Sequence, residues 1–346
     1  MRNTTRVMLN AFVSQIALLS GVASATEKFN VEPSVQQKLE QRTQETSEFL
    51  SRINVTGVVE KSGEILGLGI GGPIVSNTNT DNKERKSTDP TGFDGREYEC
   101  LKNNSDTELK YAKLDAWAKF PNFQTMIRDL IIKRQALDRL LVGFNGTHYE
   151  KDSDSVAFPL RQDVNIGWLQ KMREENAPRV LSEVAEGSEK VVVGAGGDYN
   201  NLDALVYDMR QSLLPTWAKD DTELVVMVGS DLLNDKYFPL INQEHDPENQ
   251  LARDIIMSTK RLGGLQAVTP PHFPANAILI TRYDNLSIYY QESSRRRHIK
   301  DKPERDRIIN YESSNDAYVI EDLDYACMAE NIEVLDPADA APDALA

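Results

Sequence analysis

Apolar residues at alternating spacings of three and four open the chain: Leu9, Phe12, Ile16 and Leu19 form a helical seam, and Gly21 ends it. After Pro33, the residues Val35, Leu39, Phe49, Leu50 and Ile53 place apolar groups along one side of a second helix, with Ser34 and Gln37 at the spacing of a capping box. Its polar middle predicts half-burial, as in an arm. At Ile53 the period drops to two. Ile53, Val55 and Val59 alternate, Ser62-Gly63 predicts a turn, and Leu66, Leu68 and Ile70 alternate with Gly67, Gly69 and Gly71, a strand with one bare face. Residues 77–95, NTNTDNKERKSTDPTGFDG, hold nothing that forms a core, and strand character resumes through Tyr98, Cys100, Leu109 and Tyr111. A polar tract this long between two strand-like ribbons predicts a β-hairpin standing away from the body.

Pro121 then sits where a helix begins, and Phe123, Met126, Ile127, Leu130, Ile131, Leu137, Leu140, Leu141 and Phe144 follow at helical spacing until Asn145-Gly146. A helix over 121–144 would be roughly 36 Å long, a strut across a whole domain. Its polar face, with Arg128, Asp129, Lys133, Arg134, Asp138 and Arg139, suits either water or a neighbouring subunit. Further on, KVVVGAGGDYNNLDALVYDMRQSLLP reads as strand, glycine turn and helix, the helix carrying Leu202, Leu205, Val206, Met209 and Leu213 on one side. LVVMVGSDLLND repeats the pattern, with a buried strand over 224–228 and Ser230 or Asp231 as the helix cap. This alternation predicts an α/β layer. AILIT, LSIYY and AYVIE return the last third to short strands, and DPADAAPDALA has too little apolar surface to fold.

Charge narrows the partners. A net charge of −15 argues against holding nucleic acid by its phosphates, which needs many uncompensated Lys and Arg. The one compact basic cluster, Arg295-Arg296-Arg297-His298, has no interleaved aromatic platform and reads as a solvated loop or a salt-bridge patch against the abundant acids. Cys100 and Cys327 make no Cys-x-x-Cys pair and suit a reducing compartment, with a single long-range bridge still open. His148, His245, His272 and His298 are scattered without ligand spacing. The glycines from Gly67 to Gly72 match G-x-G-x-x-G formally, but Pro73 and a polar tract follow where a helix should open. Gly194-Ala195-Gly196-Gly197 lies between strand and helix without a P-loop lysine, and Gly229-Ser230-Asp231 is a helix start rather than a nucleophile elbow. No catalytic residue, cofactor site or metal site is read from the chain. A structural or assembly role leads.

The sequence as a whole resembles the major capsid proteins of the P-two-like (peduovirus) contractile-tailed phages. FNVEPSVQQKLEQ, KLDAWAKFPNFQTMIRDLIIKRQALDRLLVGFNG, QDVNIGWLQKMR, GGDYNNLDALV, LVVMVGSDLLNDKYFPLIN, NLSIYY and NYESSNDAYVIED carry the resemblance, in order, from about Phe29 to Val334. It implies an α+β, Hong-Kong-97-like capsid fold. Residues 1–29 would be an N-terminal assembly segment, 30–52 an N-arm, and 53–115 the E-loop hairpin and its base. Residues 116–166 would be a peripheral domain with a long spine helix, carried by Pro121, Met126, Leu130, Leu137 and Leu141. Residues 167–277 would form the axial domain, 278–335 the returning peripheral strands and a final axial segment, and 336–346 a flexible tail. Leu66, Gly67, Leu68, Gly69 and Ile70 of the E-loop would make assembly contacts. The resemblance further implies self-association into hexamers and pentamers of an icosahedral shell in the virion, assembled in the host cytoplasm. Partners would be an internal scaffold and protease protein, a portal, and packaged double-stranded DNA held without sequence specificity; no membrane is involved.

The first 29 residues admit two readings. Arg2 and Arg6 before an apolar stretch, with Ala23-Ser24-Ala25, have the form of an export signal, yet Asn10, Ser14 and Gln15 interrupt the apolar run. The resemblance instead implies removal by a prohead protease near Phe29-Asn30, which would leave the shell more acidic by two units and let DNA slide on a negative lining. Some relatives with this fold crosslink through Lys-Asn bonds, and no such pair is identified here. An exported binding protein and an enzyme using the Gly194 turn for a phosphate remain as alternatives, distinguished from a shell protein by particle size.

Overall fold

The computed structural model describes residues 1–65, 75–87, 95–120, 122–234 and 260–335. Helix α1 (Asn3–Leu19) leads to the two-residue strand β1 (Phe29–Asn30), then to helices α2 (Pro33–Thr46) and α3 (Glu48–Arg52) and strand β2 (Asn54–Val58). Gly21, at φ 63°, supplies the left-handed residue that stops α1. Pro33 occupies the first turn of α2 and starts it one residue ahead of Ser34, so the expected Ser34 capping box does not form. The second predicted helix is also broken in two. Ser47 leaves helical geometry and accepts from the Leu50 N–H, capping α3.

Strands β3 (Ser62–Glu64) and β4 (Glu97–Glu99) pair antiparallel, so the base of a hairpin is present. The chain bends over residues 59–61, ahead of the expected Ser62-Gly63 turn. Gly63 has another reason to be glycine: a Cβ there would come within 3.1 Å of the Tyr98 ring across the pair. Strands β5 (Leu101–Asn104) and β6 (Thr107–Lys110) follow, and Tyr111 opens helix α4 (Tyr111–Trp117) instead of continuing a strand. Helix α5 (Phe123–Asn145) has 23 residues and stops at the expected Asn145-Gly146, with Gly146 as its C-terminal cap.

Helix α6 (Trp168–Glu175), strands β7 (Val180–Leu181) and β8 (Val191–Val193), helix α7 (Leu202–Ser212) and strand β9 (Val225–Val228) make the middle of the chain. After β9 a helical turn opens at Ser230 itself, with Gly229 before it; Ser230 and Asp231 lie inside the helix and do not cap it. Strands β10 (Arg261–Leu262), β11 (Leu265–Val268), β12 (Ile278–Thr281), β13 (Leu286–Gln291), β14 (Arg296–Lys302), β15 (Arg307–Ile320), β16 (Cys327–Ala329) and β17 (Ile332–Val334) complete it.

Two sheets organise these elements. One has the order β1-β14-β15-β13-β2, with β5 and β6 also pairing with the 14-residue β15; the other has the order β10-β11-β9-β12-β16-β7. The second sheet is buried on both faces, and the period of two sorts its side chains. Val225, Met227, Leu279 and Met328 point into a core shared with α5, α6, β13 and β15. Val226, Val228, Ile278, Ile280 and Cys327 point into a separate core under α7. A third cluster lies at the opposite end, where α1, α4 and α5 meet β14 and β15.

Candidate assembly surfaces

Helix α5 runs over one face of β15, and the even-numbered residues of that strand divide the contact into three zones. Ile308 meets Ile127 at one end, and Tyr318 and Ile320 join Leu140 and Phe144 at the other. Between them the face is polar: Asn310, Glu312 and Asp316 are all buried.

This middle zone receives α2. The buried face of α2 is Gln36, Glu40 and Thr43, at helical spacing, rather than the apolar side read from the sequence. Glu40 bonds Arg139 of α5, and its other oxygen lies 2.6 Å from Arg295 Nη1. Arg295 in turn reaches Glu312 at 2.5 Å, and Gln135 of α5 donates to Glu312 at 3.2 Å. Gln36 donates to the Gln291 carbonyl and accepts from the Ser293 N–H, holding the turn between β13 and β14. Burial alone would push these carboxyls up. For Glu312 the neighbouring Arg295 and Arg297 more than offset it and bring the pKa down to about 2; Arg139 and Arg295 likewise hold Glu40 below its ordinary range. Asp316 goes the other way, because burial outweighs Arg139 at 3.8 Å. Arg295 is thus the centre of a buried ion network, and the solvated-loop reading of the Arg295 cluster gives way to its salt-bridge reading.

The base of the β3–β4 hairpin is pinned to the body by Arg96, which donates to the backbone carbonyls of Ile320 at 2.8 Å and Glu321 at 2.7 Å and lies 3.4 Å from Glu175. The Cys100 N–H donates to the Lys61 carbonyl at 2.7 Å. Cys100 and Cys327 are both free and buried, which closes the question of a long-range bridge, and burial raises each thiol to about 12.

At the third cluster, α1 lays Leu9, Ile16 and Ala17 onto Leu114, Ile127, Ile299 and Ile308, with Phe12 partly buried beside them. Leu19, expected in the same seam, is 62% exposed. Phe29 and Asn30 pair with Arg297 and Arg296 of β14, and Phe29 is buried. Of the expected spine residues, Leu141 is buried and Leu137 half-buried, whereas Met126 and Leu130 face outward, 43% and 53% exposed. Pro121 and the residues Leu66, Gly67, Leu68, Gly69 and Ile70 lie outside the described residues. Sequence reasoning missed Arg96, Glu40, Arg139, Glu312 and Asp316. For Glu40 the signal was present in the i, i+4, i+7 spacing of Gln36, Glu40 and Thr43.

These features are an arm, a pinned ribbon and a long helix with apolar residues turned outward. Over residues 8–332 the chain matches the family described as phage major capsid protein, P2 family. It belongs to that family. Among its relatives, the capsid protein of Escherichia phage P2 is 47% identical over 97% of this chain and 96% of its own length. The major capsid protein of Serratia phage KSP20 is 40% identical over 97% and 99%. A chain of the satellite phage P4 procapsid, solved with its size determination (Sid) protein, superposes with a TM-score of 0.82 at 46% identity, covering 97% of this chain and 99% of that one. A Gordonia phage Cozz chain, 12% identical and covering 83% and 86%, matches with a TM-score of 0.50 and speaks to the fold alone. The fold is the Hong-Kong-97-like capsid fold, and this family member is a major capsid protein of a tailed phage that forms an icosahedral capsid. That membership makes the chain a structural shell protein, the reading set above against the exported-protein and phosphate-enzyme alternatives. Among the described residues, no helix is long and apolar enough to cross a membrane.

Proposed function

We propose that this chain tiles its shell as hexamers and pentamers, and that its first 29 residues are an assembly segment later cut away by a prohead protease. The observation that carries the second part is the way this segment is attached. Helix α1 contributes to the third cluster alone, its connector to β1 is held by buried Ala25 among largely exposed residues, and neither of the two main cores includes a residue of the segment. Phe29 is buried and hydrogen-bonded along β14, so the Phe29–Asn30 bond becomes accessible to a protease only after β1 lifts from the sheet edge. Mass spectrometry of shell protein from mature virions tests this: a chain beginning at Asn30 is expected, and one beginning at Met1 overturns it.

The same proposal names the parts. Residues 30–52 are the N-arm, locked by Glu40 onto Arg139 of α5 and Arg295 just ahead of β14. Residues 53–115 are the E-loop and its base, with contacts at residues 66–70. Helix α5 is the spine of a peripheral domain built on the β15 sheet. Residues 167–277, with α7 and β9, are the axial domain, residues 278–335 the returning peripheral strands and a final axial segment, and 336–346 the tail; the pairing of β12 with β9 favours moving the axial boundary past residue 281. Assembly takes place in the host cytoplasm around an internal scaffold and protease protein and a portal, and the acidic chain encloses double-stranded DNA without specific contacts. The related procapsid that contains a size determination protein supports a partner that governs shell geometry. Electron microscopy of the protein expressed with its phage scaffold should show closed shells; monomers alone would count against the reading.

A further inference from the structure

A net charge of −15 would repel a polyanion if it were spread evenly over the surface, and the fold does not spread it evenly. The sheet of β14, β15 and β6 turns one face to α5. On its other face the register lines up Arg296, His298, Lys300 and Lys302, the alternate residues of the seven-residue β14. Across the strands, Lys302 stands opposite Arg307 of β15, and Arg307 opposite Lys110 of β6, three cations in one row. Glu108, on the same face of β6, pairs with Arg307 at 2.5 Å. Arg296, Lys300, Lys302 and Lys110 make no ion pair or side-chain hydrogen bond among the described residues, and all but Lys302 are exposed.

Like charges directly opposite one another destabilise a sheet. In a chain with 54 acidic residues, a single acid at position 307 would remove that cost, and an arginine stands there instead. Folding alone does not favour such a row, which is the kind of local conflict that marks a functional surface. Between the row and Arg296, the His298 ring stacks on Tyr311 across the strand pair, with centroids 5.8 Å apart and planes 25° from parallel. The Tyr311 hydroxyl has no partner among the described residues and adds a donor to the middle of the stripe.

We propose that this face binds the phosphate backbone of duplex DNA without reading its sequence. Alternate residues of a strand lie about 6.8 Å apart, so the β14 stripe runs for about 20 Å, over which a duplex presents about twelve phosphate charges. An acidic protein is the other polyanion to weigh, and the make-up of the face argues against it. Ile309 is the one aliphatic residue on this part of the face, whereas protein interfaces are built round an apolar, charge-poor centre. Phosphate contacts need only cations and hydroxyl or amide donors. That the duplex met in the particle is the packaged one rests on the enclosure reading above; the binding itself does not.

Fluorescence anisotropy of the purified full-length chain with a short labelled duplex tests this. Two duplexes of unrelated sequence should bind alike. With four uncompensated cations engaged, log K should fall against log[salt] with a slope of about −3.6. Lys300→Gln/Lys302→Gln should make that slope shallower by about 1.8 and weaken binding about tenfold or more at low salt. Lys38→Gln/Lys133→Gln, which removes the same charge from exposed positions of α2 and α5, should leave both nearly unchanged. Because Lys302→Gln relieves Arg307 of a like-charged neighbour, the first variant should keep or raise its denaturation midpoint, which separates lost binding from lost fold. A slope near zero, an equal loss in the Lys38→Gln/Lys133→Gln protein, or tighter binding of poly-glutamate than of DNA would each overturn the proposal, the last by assigning the face to an acidic protein. The measurement needs no shell, so the closed particles sought above judge the enclosure reading separately.

Discussion

Glu40 is the residue on which the most geometry converges, since a single carboxylate joins the arm, the long helix and the edge of the sheet through Arg139 and Arg295. Its value lies in the cost of its absence. Replacing it leaves two guanidiniums buried with one neutralising carboxylate fewer, and truncating one partner of a buried pair typically costs about 3–5 kcal/mol. Glu40→Gln should lower stability by that amount in chemical denaturation, while Arg42→Gln, whose side chain is largely exposed, should change it by less than about 1 kcal/mol. The network also predicts acid behaviour. Glu312 has a folded pKa of about 2 against an ordinary 4.5, so the stability it supplies is complete above pH 4.5 and is lost as pH falls through that window towards 2. Asp316 opposes this: its raised pKa means it binds a proton more readily folded than unfolded, and acid favours its native environment. Glu312→Gln should therefore give a protein less stable at neutral pH whose stability falls less than the parent's between pH 4.5 and 2. Equal pH slopes would show that Glu312 is not held low.

At the scale of elements, legibility followed period. Helices α5 and α7 were readable because their apolar residues repeat at 3.6, Met126 and Leu130 of α5 alone among the expected spine residues facing outward, and β9 and β12 because they are short apolar runs buried on both faces. Strands β14 and the first half of β15 were not, because RRHIKDK and RIINYESS carry charge where a half-buried strand normally carries Val or Ile. Asn310 and Glu312 of β15, and Arg295 just ahead of β14, are buried against α2 and α5, and a partner supplied from more than a hundred residues away leaves no mark in local pattern. The hairpin was legible as two ribbons and a polar tract, but its attachment was not, since nothing near Arg96 in sequence announces the Ile320 and Glu321 carbonyls. Hydrogen bonds from a charged donor to backbone contribute roughly 1.5–3 kcal/mol each. Arg96→Ala should therefore cost a few kcal/mol and speed exchange at the Cys100 amide, with the amides of β9 unaffected; unchanged exchange at Cys100 would mean that Arg96 does not set the ribbon's base. Gly143 closes the other end of the helix: a Cβ there would collide with the Trp168 indole, so Gly143→Ala should separate α5 from α6 and destabilise the shared core by about 1–3 kcal/mol, measurable as a lowered denaturation midpoint.

Across the whole molecule, the two sheets share one core while the N-terminal segment belongs to another, and this division predicts an order of opening. Residues from α3, α5, α6, β9, β12, β13 and β15 interlock in the shared core, so neither sheet can lose its packing without the other. Helix α1 contributes Leu9, Ile16 and a partly covered Phe12 to the outer cluster, about 4–6 kcal/mol of transfer free energy before the entropy of ordering the segment is subtracted. The remainder is small beside the stability of a domain this size, so α1 and β1 should detach in a sub-global step well below complete unfolding. Native-state hydrogen exchange resolves the two. Amides of α1 should exchange with little dependence on denaturant and long before those of β9 and β12, and the β14 amide of Ile299, whose partner is the Ala25 carbonyl, should follow α1 rather than the rest of its own sheet. That coupling is the decisive observation, because Ile299 sits in the middle of a strand paired along its full length with β15 on its other side. If Ile299 and α1 exchange only through global unfolding, the segment is a structural part of the subunit. If they open together and early, it is a cover that the finished particle can discard.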